Sequence, residues 1–81
     1  MLKRIMDDVV TILNDIRPGE DFAGTDDFFA KGVLDSLDLT TLVAELEGRY
    51  NVFIDVAEMI PDNFRSLASI HAILVRHGAN L

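Results

Sequence analysis

Apolar residues recur along the first segment at spacings of one, three and four: Ile5, Met6, Val9, Ile12, Leu13 and Ile16. That is the stripe of an amphipathic helix. Arg17-Pro18-Gly19 ends it, because proline restricts the residue before it and glycine seldom continues a helix. From Ser36 to Tyr50, Leu39, Leu42, Val43, Leu46 and Tyr50 fall at i, i+3, i+4, i+7 and i+11 and predict a second buried stripe. Leu37 falls off that stripe. Thr41, Ala44 and Gly48 continue its row, with Asp38 and Glu45 close by, leaving a smooth face with one apolar knob. A last helix carries Leu67, Ile70, Ile73 and Leu74, with Ser66 as N-cap, Arg76 and His77 near its negative end and Gly78 as C-cap.

The connections are equally informative. Residues 19–35 form a long loop with Gly24, Gly32 and the pair Asp26-Asp27, and loops of this length are functional or tied down by their own side chains. Phe22, Phe28 and Phe29 are its expected anchors, assigned to core packing rather than to a ligand. Residues 51–56, Asn-Val-Phe-Ile-Asp-Val, are too short and isolated for a sheet and predict an extended crossing that places Val52, Ile54 or Val56 in the core. A single helical turn is expected over residues 57–60, stopped by Pro61. The expected fold class is all-α, a bundle of three main helices plus one short helix with a long first loop, residues 1–81 making one domain.

Composition narrows the classes. Nearly half of the 81 residues are hydrophobic, enough for a core, and with no cysteine that core must hold by apolar burial alone. No apolar run approaches the roughly 20 residues that span a bilayer, and Met1-Leu2-Lys3-Arg4 does not open a signal peptide; a cytoplasmic location is expected. All 14 acids lie between Asp7 and Asp62, where the bases are Arg17, Lys31 and Arg49. Such a surface repels nucleic-acid backbones and anionic membranes and suits basic proteins, although acidity can also serve solubility alone.

The chemistry concentrates at Gly32-Val33-Leu34-Asp35-Ser36-Leu37-Asp38-Leu39. Asp35 is an N-cap candidate and Asp38, three residues on, is the acidic half of a capping box, which puts Ser36 in the exposed first turn. The positive end of the macrodipole favours a phosphate there. Helix capping by itself accounts for an Asp-Ser pair, so the residues alone leave both readings open.

Taken together, Asp27-Phe28-Phe29-Ala30-Lys31-Gly32-Val33-Leu34-Asp35-Ser36-Leu37-Asp38-Leu39, followed by a helix with Leu42, Leu46 and Tyr50, resembles the acyl carrier protein family. The helix order, long first loop and short third helix match over essentially the whole chain. The resemblance implies a stand-alone carrier with 4'-phosphopantetheine on Ser36, installed from coenzyme A by a separate Mg²⁺-dependent phosphopantetheinyl transferase. It further implies that acyl or aminoacyl intermediates ride as thioesters on that arm to loading and processing enzymes, in fatty-acid, polyketide or other specialised biosynthesis. Asp35, Leu37, Asp38, Thr41 and Glu45 become the expected docking residues for basic partner surfaces, and the chain is expected to be a monomer, as carriers of this kind usually are.

Some features depart from the fatty-acid pattern. Thr40, Thr41 and Ala44 stand where fatty-acid carriers commonly show acids and larger apolar residues, and the run from Pro61 to Leu67 is long. These features are closer to carriers of specialised or aminoacyl pathways, while Asp35 argues against peptidyl carriers, which more often have a His-Ser pair. An enzyme is not expected, because His71 and His77 lie in the last helix without an acidic constellation around Ser36. No metal site is expected either: Asp26, Asp27 and Asp35 lack the spacing of a calcium loop. The competing reading is an unmodified acidic interaction module.

Overall fold

In the computed structural model, residues 2–79 are described, with side chains from residue 7 onward; Ile5 and Met6 of the first stripe lie outside the described side chains. Four α-helices follow in order: α1 Leu2–Ile16, α2 Ser36–Tyr50, α3 Pro61–Phe64 and α4 Leu67–Arg76, with a 3₁₀ turn at Val56–Glu58. The apolar periodicities become the packing faces. Val9 and Leu13 are buried on α1, with Ile12 and Ile16 half-buried beside them; Leu39, Leu42, Val43 and Leu46 are buried on α2; Ile70, Ile73 and Leu74 on α4. α1 packs against both α2 and α4, and α3 lies against α4.

Two ion pairs, one at each end, show α1 and α2 to be antiparallel neighbours. Arg17, just beyond the end of α1, meets Asp38 in the first turn of α2, and Arg49 in the last turn of α2 meets Asp8 of α1 at 3.1 Å. The loop that joins them folds back into the core. Phe22 and Phe28 are buried and meet edge to face, with ring centroids 5.3 Å apart. Each contributes about 2–3 kcal/mol of transfer free energy. Phe29 is half-buried against the same cluster.

Between α2 and α4 the extended crossing places one of its three candidates in the core, as expected. Ile54 is the residue that enters the core, with Val52 half-buried, while Phe53 and Val56 point to solvent. The backbone N–H of Ile54 donates to Glu47 of α2 at 2.9 Å, which pins this crossing to the helix before it. The helical turn expected over residues 57–60 is a 3₁₀ turn at Val56–Glu58, and Pro61 does not end the helical structure but starts a further short helix, α3. The reason is that a first-turn residue has no intrahelical N–H partner to lose, and proline's fixed φ already suits a helix.

α4 starts and ends as its sequence predicts. Ser66 accepts from the Ser69 N–H at its start. At its end Gly78, with φ at +69°, lets its own N–H reach the Val75 carbonyl while the Ala79 N–H reaches that of Leu74. This paired closure is the Schellman arrangement.

Candidate functional site

The backbone that delivers Ser36 is built by the last third of the first loop. Asp27 caps a turn by accepting from the Phe29 and Ala30 N–H groups, at 3.2 and 3.0 Å. Gly32, at φ +73°, closes the turn; the Val33 and Leu34 N–H groups both donate to the Phe28 carbonyl, at 2.8 and 3.0 Å. Phe28 in turn donates its N–H to the Arg65 carbonyl at 2.7 Å. With Val33 and Leu34 buried, the chain is held from behind immediately before it reaches the surface at Asp35.

At that point α2 begins with a complete capping box. Asp35 accepts from the Asp38 N–H at 2.9 Å, and Asp38 accepts from the Asp35 N–H at 3.0 Å. Ser36 is the first helical residue and is exposed, and among the described residues its hydroxyl makes no hydrogen bond. The hydroxyl is therefore not taken up by helix capping. The Asp38 N–H, above all, holds the Asp35 carboxyl below its ordinary value; partial desolvation, the next largest effect, opposes it, and the Arg17 guanidinium, the Asp38 side chain and the Leu37 N–H each lower it by less.

The expected docking residues fall into two groups. Leu37 is 79% exposed, the apolar knob that its position off the buried stripe predicts, and Thr41 and Glu45 are exposed beyond it on the same helix. Glu45, Ala44 and Gly48 also line a groove of about 400 Å³ between α1 and α2, whose other wall includes Asp8 and Asp15. Asp35 and Asp38 are engaged differently, since both are taken up by the capping box. Asp38, with only 15% of its side chain exposed, is additionally paired with Arg17 at 2.9 Å. One nitrogen of Arg17, Nη2, lies between the two carboxylates, at 3.3 Å from Asp35 and 2.9 Å from Asp38.

Sequence reasoning assigned Arg17 only to the end of α1, and no short-range pattern links it to residues 18 and 21 positions later. In the sequence Asp27 reads as one of a pair of acids with Asp26; its position two and three residues before the N–H groups it caps is the signal of its capping role. A second unanticipated contact is His77 Nε2 with Glu58, 2.8 Å from Oε2 and 3.0 Å from Oε1, which ties the 3₁₀ turn to the end of α4.

A phosphate-linked group fits this arrangement: a free hydroxyl at the positive end of a 15-residue helix, in open solvent, on a backbone fixed on both sides. Among the described residues no group of acids, histidines or cysteines is arranged to hold a metal ion, and no helix is long and apolar enough to cross a membrane.

Comparison with known proteins points the same way. The family model for the phosphopantetheine attachment site matches residues 3–74. The D-alanyl carrier protein of Leuconostoc citreum (strain KM20) is 38% identical over 64 residues, covering 76% of this chain and 81% of that protein. No solved structure gives a significant match.

Proposed function

The chain belongs to the family of carrier proteins that bear a phosphopantetheine attachment site, and from that premise we propose that Ser36 is the attachment point and that the cargo is an aminoacyl group. Members of this family are not catalytic; they carry 4'-phosphopantetheine covalently and are served by a phosphopantetheinyl transferase and by loading or processing enzymes. The group supplies a thiol at the end of a long arm, on which an acyl or aminoacyl unit is held as a thioester.

The observation that carries the assignment is the unengaged, exposed hydroxyl of Ser36 on the first residue of a doubly capped helix. The capping box fixes the backbone at that point, the macrodipole favours a phosphodiester there, and the open surroundings leave the arm unobstructed. The relative named as a D-alanyl carrier supports an aminoacyl cargo, as do Thr40, Thr41 and Ala44 on the outer side of α2. Leu37, Thr41 and Glu45 offer partner enzymes an apolar knob within an acidic frame, which suits basic docking surfaces in the cytoplasm, where coenzyme A is available.

The test is intact-protein mass spectrometry after incubation with coenzyme A, Mg²⁺ and a broad-specificity phosphopantetheinyl transferase, beside Ser36→Ala. A gain of one phosphopantetheinyl group in the wild type and none in the variant is the expected result. No gain in a folded wild type, with several transferases, would instead support an unmodified interaction module. Loading the modified protein with D-alanine, glycine and short-chain acids by matching ligases then separates aminoacyl from acyl cargo.

A further inference from the structure

We infer that Arg17 is a positioning residue for the modification of Ser36, because one guanidinium nitrogen stands between the two carboxylates that cap α2, at 3.3 and 2.9 Å. The inference rests on the assignment of the attachment point to Ser36. In the transfer, the Oγ–P bond forms as the pyrophosphate P–O bond of coenzyme A breaks; the adenosine bisphosphate leaves with the electron pair, and the hydroxyl proton passes to a base of the transferase. Negative charge accumulates around the transferring phosphate during that step. Asp35 directly precedes Ser36 in the chain and Asp38 lies in the same first turn, so an uncompensated pair of carboxylates would oppose it.

Arg17 answers both requirements of the site. Its charge offsets the two acids that flank Ser36 in the chain. Its position also holds the capping geometry: Asp38 Oδ2 is the atom that accepts from the Asp35 N–H and the atom that Arg17 meets. Moving that oxygen would loosen the backbone on either side of Ser36. Lone exposed ion pairs contribute little, but this is a three-member network centred on Arg17, and in its Asp38 arm the carboxylate side chain is only 15% exposed, so solvent screens that arm less than an open pair.

The opposite role, a mask that keeps Asp35 and Asp38 from a basic partner, agrees less well with the geometry. Asp38 has little surface to offer, and Asp35, although 59% of its side chain is exposed, already accepts a backbone N–H in the capping box.

The test compares wild type, Arg17→Gln, Arg17→Lys and Ser36→Ala as apo proteins, measuring kcat and KM for the carrier in the transferase reaction by intact mass at low and moderate salt. Thermal midpoints and the NMR titration of the Asp35 carboxyl are followed on the same samples. Arg17→Gln is expected to lower kcat about three- to tenfold, the equivalent of roughly one kcal/mol in the barrier, with KM changed less than about twofold and the deficit shrinking as salt rises. The Asp35 carboxyl should titrate higher than in the wild type. Because a single nitrogen bridges both acids, Arg17→Lys should recover most of the rate.

A kcat in Arg17→Gln equal to or above that of the wild type overturns the inference, and a rise favours masking. A loss of rate that follows only the thermal midpoint and is not recovered by Arg17→Lys also overturns it, since it assigns Arg17 to folding alone. A wild type that gains no mass, like Ser36→Ala, overturns the attachment at Ser36 itself.

Discussion

A hydroxyl becomes useful to a carrier when nothing else claims it, and Ser36 meets that condition because its neighbours perform the capping. Asp35 and Asp38 exchange hydrogen bonds with each other's backbone, which spares the serine the role that Ser66 fulfils for α4. The two acids are therefore not interchangeable with a merely acidic surface. Asp38→Lys should slow transfer to partner enzymes, and it should also reverse a charge inside the Arg17 network and delete one half of the capping box. The expected loss of stability is about 1–2 kcal/mol by urea denaturation. Leu37→Ala is the cleaner probe of docking: with Leu37 79% exposed, the denaturation midpoint should not move, while transfer to a loading enzyme slows. Equal transfer rates for the two proteins would remove Leu37 from the docking face. Gly32→Ala tests the turn behind the serine, since an L side chain at φ +73° is strained even in open space, and a loss of about 1 kcal/mol is expected.

At the scale of whole elements, the three long helices were legible because each carries an uninterrupted 3.6-residue period with its stop signals in place: Pro18-Gly19 after α1, Asp35 before α2, and Ser66 and Gly78 around α4. The short helical turn before Pro61 was legible but the further helix that Pro61 starts was not, because proline reads as a stop from one side and as a start from the other. Of the candidate site, the capping box was written in a three-residue spacing, whereas the Arg17 network depends on how α1 and α2 lie together. The same holds for the contact of Glu58 in the 3₁₀ turn with His77 at the end of α4. That contact, chiefly the hydrogen bond from His77, holds the Glu58 carboxyl below its ordinary value. A depressed carboxyl contributes stability that is present above its unfolded value and is lost as pH falls through the folded one. From about pH 4.5 downward, the wild type should thus lose stability more steeply than Glu58→Gln, as read from thermal midpoints over a pH series. Parallel acid limbs for the two proteins would remove this contact from the pH response.

For the molecule as a whole, charge is distributed in a way that the fold puts to use. The acids crowd into residues 7–62, while Arg65 and Arg76 follow in the last part of the chain. For the basic partner proposed above, the acids around Ser36 make a surface suited to long-range attraction and ready release. Transfer rates to such a partner should fall steeply as salt is raised past the point where the screening length drops below about 10 Å, with the association step carrying the change. A rate indifferent to salt would assign recognition to Leu37 and shape alone. The bonds from Phe28 to Arg65, Val33 and Leu34 add a mechanical consequence. They clamp the approach to α2, so the serine at its start is a fixed pivot rather than the tip of a swinging loop. With the arm on Ser36, as proposed, the volume that a tethered cargo sweeps is set by the length of the arm and centred on one point of the protein, and the effective concentration it reaches in a docked active site depends on how far that site lies from the pivot.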